Sequence, residues 1–203
     1  MTKDCKLKLD RINEMSYQID ECKQYLIDYR AHLALKLEEN KGNAAVRDNL
    51  QEDEAEVICD WKMKLLSCYY RENQQLFFAK RGTSCIGFMV ITNSTSSDQK
   101  KVHFYFMFTD DTTQNANSVL SAKAYLYNEL LPDHIKFVHF RSDGAGCYSS
   151  NLTKAAMTEW GRWTKGKIIE KSYRVSVAGD GKTNLDGLFG RLYLIYYGKK
   201  SIC

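Results

Sequence analysis

Residues 135–151, IKFVHFRSDGAGCYSSN, carry the reading of this chain. The apolar and aromatic run from Ile135 to Phe140 feeds directly into Arg141-Ser142-Asp143. Short runs rich in β-branched and aromatic side chains pleat as strands. Gly144 and Gly146 then allow the backbone to come close to a ligand. A carboxylate delivered from a strand end into a small-residue loop is either turn chemistry or a ligand for a hard cation. The surrounding order of elements weighs between the two.

Upstream, Asn115 to Leu131 reads as a helix with Val119, Ala122, Leu126 and Leu130 on one face and Pro132 just past its end. Before it come two strand-like runs, CIGFMVIT (85–92) and KVHFYFMFT (101–109), separated by a polar turn at 94–99. An earlier short strand, Val57-Ile58-Cys59, ends at Asp60. Downstream, Ser150 to Trp163 reads as helix, KIIEKSYRVSV (167–177) as strand, and Asn184 to Leu194 as a last helix. Three strands in series imply an antiparallel meander, and strands that come after helices imply right-handed crossovers onto the same sheet. The expected fold is therefore α/β: a mixed five-stranded sheet flanked by helices on both faces, the ribonuclease H-like arrangement.

The N-terminal part differs. Ile12, Met15, Ile19, Cys22, Leu26, Tyr29 and Leu33 recur at alternating steps of three and four, the pattern of one helix face. The stretch Asn40-Lys41-Gly42-Asn43 is a stop signal, with a short helical piece (44–50) and an acidic linker (52–56) after it. The same spacing suits a coiled-coil seam, hence a homo-oligomer through this helix, or a helix folded against the α/β domain. The expected division is 1–54 for the helical region and 55–203 for the ribonuclease H-like domain, with the last helix cut short.

Composition bounds the classes. The chain has 203 residues, 44% apolar and 27% charged with one proline, ordinary values for a globular protein. No apolar run is long enough to span a membrane, and Met1 to Asp10 lacks a signal-type stretch. The seven cysteines form no CxxC, which argues against a zinc ribbon and fits reduced thiols inside the cell. Residues 1–56 carry 9 basic against 13 acidic side chains, and residues 57–203 carry 20 against 12. The larger part is basic, as a surface that meets phosphates would be.

Asp60, Asp143 and Asp186 stand at informative places in that order: after the first strand, after the fourth, and in the first turn of the last helix. The two strands are expected side by side at the sheet centre, so that their acids project together and Asp186 reaches in from the helix. Carboxylates supply hard anionic ligands for Mg²⁺ or Mn²⁺, and two such ions can serve in-line phosphoryl transfer. Each acid also has a structural reading, in a turn or at a helix dipole. Lys62, Lys64, Arg71, Lys80 and Arg81, interleaved with Trp61, Tyr69, Tyr70, Phe77 and Phe78, form a basic-aromatic segment suited to a nucleic-acid backbone and bases. Gly179, Gly181 and Lys182 can hold a phosphate ahead of the last helix, but no glycine stands five residues before Gly181, so the segment is no P-loop. The four histidines show no metal-ligand spacing, and no GxSxG or Cys–His arrangement supports nucleophilic catalysis.

Three stretches, ICDWKMKLLSCYYRENQQLFFAKRG (58–82), RSDGAGCYSSN (141–151) and GDGKTNLDGLFGRL (179–192), resemble those of eukaryotic DDE/D transposase-derived proteins with a ribonuclease H-like core. The resemblance implies that Asp60, Asp143 and Asp186 are the first, second and third catalytic acids, with Asp180 the alternative for the third. It further implies Mg²⁺ or Mn²⁺ as cofactor, DNA as partner, cleavage and strand transfer as activity, and a nuclear location. The alternative is a catalytically silent module on the same fold that binds nucleic acid or protein.

Overall fold

A computed structural model describes residues 3–66, 71–78, 80–93, 99–176 and 184–198. The chain divides into two compact units, Met1–Asn43 and Ala44–Cys203. The first is the greater part of one helix, α1 (Lys3–Asp48). The stop expected at Asn40 to Asn43 does not act. A glycine ends a helix by taking a left-handed conformation, and Gly42 is absent from the glycines with positive φ. Left in the helical region, it costs the helix only about 1 kcal/mol relative to alanine. The heptad-spaced residues Ile12, Met15, Ile19, Leu26, Tyr29 and Leu33 are all exposed, from 39% to 64%.

The second unit is built on a five-stranded sheet in the order β3-β2-β1-β4-β5. These are β1 (Glu54–Leu65), β2 (Thr83–Asn93), β3 (Lys100–Thr109), β4 (Phe137–Ser142) and β5 (Ile169–Val175). β1, β2 and β3 form the expected antiparallel meander, while β4 and β5 pair in parallel. Helix α2 (Gln74–Phe78) lies between β1 and β2 in the chain. Helix α3 (Ala116–Tyr125) runs on as a π turn through Leu130 before Pro132. The helical segment expected at 150–163 is present as α5 (Asn151–Ala156), a 3-10 turn and α6 (Trp160–Trp163) without a gap, and a separate short helix, α4 (Gly146–Ser149), precedes it. Helix α7 (Asn184–Gly198) extends beyond the expected end at Leu194.

Alternation along the strands sorts the core onto two faces. Val57 and Cys59 of β1 join Ile86, Phe88 and Val90 of β2 in the larger cluster, with Val119, Leu126, Tyr148 and Trp160 from the helices. Ile58, Cys85, Met89 and Ile91 face the other way, against Leu185 and Phe189 of α7. The sheet is thus covered on both sides, as expected.

Two corrections concern β1. The acidic stretch 52–56 is not simply a linker: Glu54 and Glu56 are strand residues and both are buried. Their charges are met by cations, Glu56 by Arg47 at 2.9 Å and Arg174 at 3.3 Å, and Glu54 by Lys171. Pairing of this kind is what permits a carboxylate in an interior. The strand also continues past Asp60, since β2 supplies partners from Thr83 onward.

Gly87 is the cross-strand partner of Asp60. A Cβ at Gly87 would stand 2.8 Å from the ring of Phe189 and 3.3 Å from Leu185, both on α7. The missing side chain is what lets α7 lie close over this part of the sheet. Gly87→Ala should therefore destabilise the protein by about 1–3 kcal/mol through overpacking. Chemical denaturation checks this, and adding Phe189→Leu should recover part of the loss. An unchanged midpoint in the single variant would contradict the close fit.

Candidate active site

The parallel ladder between β1 and β4 ends at the pair Cys59 and Ser142. The next residue on each strand is an aspartate, Asp60 on one and Asp143 on the other. Asp60 comes after Cys59 in the alternation, so it belongs to the face that α7 covers, together with Ile58. Asp186 lies in the first turn of α7, beside the buried Leu185 that anchors that helix to the sheet. Asp143 also forms a turn, its Oδ1 accepting from the Ala145 N–H at 3.0 Å.

Electrostatics ties the three together. The Asp60 carboxyl is pushed up from the ordinary 3.8 to about 7, first by burial and then by the negative charges of Asp143 and Asp186. Acids from three distant stretches of chain thus act on one another across one strand end. Among the described residues, however, no group of three His, Cys, Asp or Glu side chains lies close enough to hold a metal ion. The carboxylates share a field without forming a chelating cluster. Their donor chemistry suits a hard divalent cation, whose charge would relieve the repulsion that raises Asp60.

The raised value has a testable sign. Between 3.8 and about 7 the folded chain keeps a proton on Asp60 that the unfolded chain has lost. Stability from this group is fully present in acid and declines as pH rises through that window. In a metal-free buffer, Asp60→Asn should flatten that part of the melting curve against pH and raise the melting temperature above about pH 8. Identical pH profiles for the two proteins would refute the coupling.

The expected phosphate-binding residues are differently placed. Lys62 lies two positions after Asp60 on β1, and its ammonium stands 5.6 Å from the Phe189 ring and 5.5 Å from the Tyr193 ring of α7. Lys64 is exposed on the same strand, and Arg71 is exposed in the loop beyond it. Arg81 is exposed and near Asp111, whose carboxyl is lowered first by its hydrogen bonds with Thr113 and only then by the Arg81 charge. Lys80 is set apart: it is paired with Glu72, and both side chains are nearly buried. Its charge is neutralised locally, which makes it a poor contact for a phosphate. Gly179, Asp180, Gly181 and Lys182 lie outside the described residues, as does most of the turn at 94–99.

A buried lysine is a further charged feature of the second unit. Lys123 of α3 is fully enclosed and ion-paired with Glu170 of β5 at 2.5 Å. Its ammonium sits 3.8 Å from the Phe140 ring centre and 4.9 Å from that of Tyr173. In sequence it occupies the slot after Ala122 on an otherwise ordinary amphipathic helix, so nothing there marks it as internal.

No family model and no curated protein matches the chain. Among solved structures it is similar to a Mos1 transposase paired-end complex with left transposon end, at 10% identity and a TM-score of 0.34. The likeness covers 70% of this chain and 42% of that one, and so weak a match decides neither fold nor activity. No helix among the described residues is long and apolar enough to cross a membrane.

Proposed function

We propose that this chain belongs to the metal-dependent enzymes that transfer phosphoryl groups in nucleic acids, built on a ribonuclease H-like fold. Within that class the reading is a DDE/D transposase-like protein that acts on DNA. The observation that carries it is the elevated Asp60 carboxyl, held there by burial and by Asp143 and Asp186 together. The sheet order, with the two acid-bearing strands adjacent and parallel at its centre, supports it.

Asp60, Asp143 and Asp186 would hold Mg²⁺ or Mn²⁺. When bound, such ions polarise a phosphodiester and help generate the attacking oxygen. The chain's own contribution is positional. β1 and β4 fix two carboxylates at the end of one ladder, and Phe189 and Leu185 seat α7, which brings Asp186 toward them. Lys62, Lys64, Arg71 and Arg81 would contact backbone phosphates, each a charge-neutralising contact whose strength falls with salt.

A second reading is favoured by one observation: the described acids do not cluster tightly enough to hold a metal. On that reading the fold binds DNA without cutting it. Thermal melting with and without Mg²⁺ or Mn²⁺ separates the two. An ion at 100 times its dissociation constant contributes about 2.7 kcal/mol, enough to raise the melting temperature by several degrees. No shift with either ion would leave the silent binding module as the correct account.

A further inference from the structure

A cavity of about 470 Å³ opens on the opposite face of the sheet from Asp60, under α3. Its sheet side includes Trp61, Ile86 and Met107, all of which pack at the margin of or within the larger core cluster. Its helix side includes Asn117 and Ser121, one turn apart on α3 and therefore on one stripe. The Asn117 and Ser121 side chains make no hydrogen bond to another described residue. The wall is thus an indole and a thioether on one side and free amide and hydroxyl groups on the other.

We propose that this cavity binds a nucleobase of single-stranded nucleic acid, which rests on the nucleic-acid reading of the acidic site. Every base has a π-face that an indole can stack on, and a methionine thioether packs well against aromatic rings. Every base also has an edge with donors and acceptors, and an amide carries both. A purely apolar ligand would leave Asn117 and Ser121 unused, while a bare phosphate would find no cation among the lining residues and would meet Asp111 instead.

The position links the cavity to the acids. Asp60 and Trp61 are consecutive strand residues, so they point to opposite faces of β1. β1 has no β4 partner beyond Cys59, so past that point its flank away from β2 has no described strand beside it. A strand of nucleic acid passing this part of β1 would set a phosphodiester on the acid side and a neighbouring base in the cavity.

The test uses the full chain in chelating buffer, so that no scission occurs. Fluorescence anisotropy compares a short single-stranded oligodeoxynucleotide with one of equal length carrying a central abasic run. The abasic strand is expected to bind about tenfold more weakly, the scale of one stacked base. Asn117→Leu with Ser121→Leu, both at exposed positions of α3 where folding should be normal, is expected to erase that difference. Trp61→Leu should do the same, with its melting temperature recorded because Trp61 also touches the core. Equal affinity for the two strands in the unmodified chain, or a base preference that survives the double substitution, would overturn the proposal. Loss of the proposed catalytic function looks different: base-dependent affinity persists, but no metal ion ever induces cleavage.

Discussion

Asp143→Asn is expected to reduce metal-dependent DNA scission by at least about a hundredfold while leaving the protein folded. A ligand that helps place a metal at a phosphodiester contributes several kcal/mol of transition-state stabilisation, and each 1.36 kcal/mol is a factor of about ten in rate. Asparagine keeps the Oδ1 that accepts the Ala145 N–H, so the turn after β4 survives. Only the charge is removed. That loss also relieves Asp60, whose elevated carboxyl owes part of its position to Asp143. The metal-free variant should thus melt no lower than the parent, and the melting increment on adding Mg²⁺ or Mn²⁺ should vanish. Supercoiled-plasmid nicking recorded over time reads the rate. Undiminished nicking by the variant would remove Asp143 from the chemistry and with it the three-acid reading.

Lys123→Ala should cost about 3–5 kcal/mol, the usual consequence of leaving a buried charge without its partner. For a chain of this size that corresponds to a fall of roughly 10 °C or more in melting temperature. Glu170 would be left buried, with the hydroxyl of Tyr127 as its one side-chain donor among the described residues. Burial is the larger influence on Lys123 and lowers its proton affinity, with Glu170 opposing it. The pair therefore holds α3 to β5 at a cost in desolvation. Replacing both members, Lys123→Met with Glu170→Leu, should recover most of the loss, because packed apolar side chains need no solvation. A single variant as stable as the parent would show that the ammonium is hydrated in solution.

The sheet is legible in the sequence because each strand announces itself locally. CIGFMVIT and KVHFYFMFT are long, β-rich and separated by polar residues, and their helices carry regular apolar spacing. The order of those elements then leaves few arrangements open. Features that depend on distant partners are not legible. Glu54 and Glu56 read as a solvated linker because their cations, Lys171 and Arg174, come from the far edge of the sheet. The end of β1 lies later than its apolar run suggests for a similar reason, since the pairing that continues it belongs to β2. Gly42 resembles a helix stop, yet a glycine ends a helix only when the chain beyond it turns away. At the site, Asp143 is readable from a strand end and Asp60 from the end of an apolar run, although β1 itself continues beyond it. Asn117 and Ser121 give no signal, because exposed polar residues of a helix look alike in sequence whether or not they border a cavity.

The three acids come from the first and fourth strands and from the last helix described, so the site is assembled across nearly the whole of the second unit. While a ribosome is still making the chain, β1 and β4 can pair well before α7 has emerged. On the proposed reading, a nascent protein would then hold two carboxylates but lack the third, and could not cut DNA until its folding was complete.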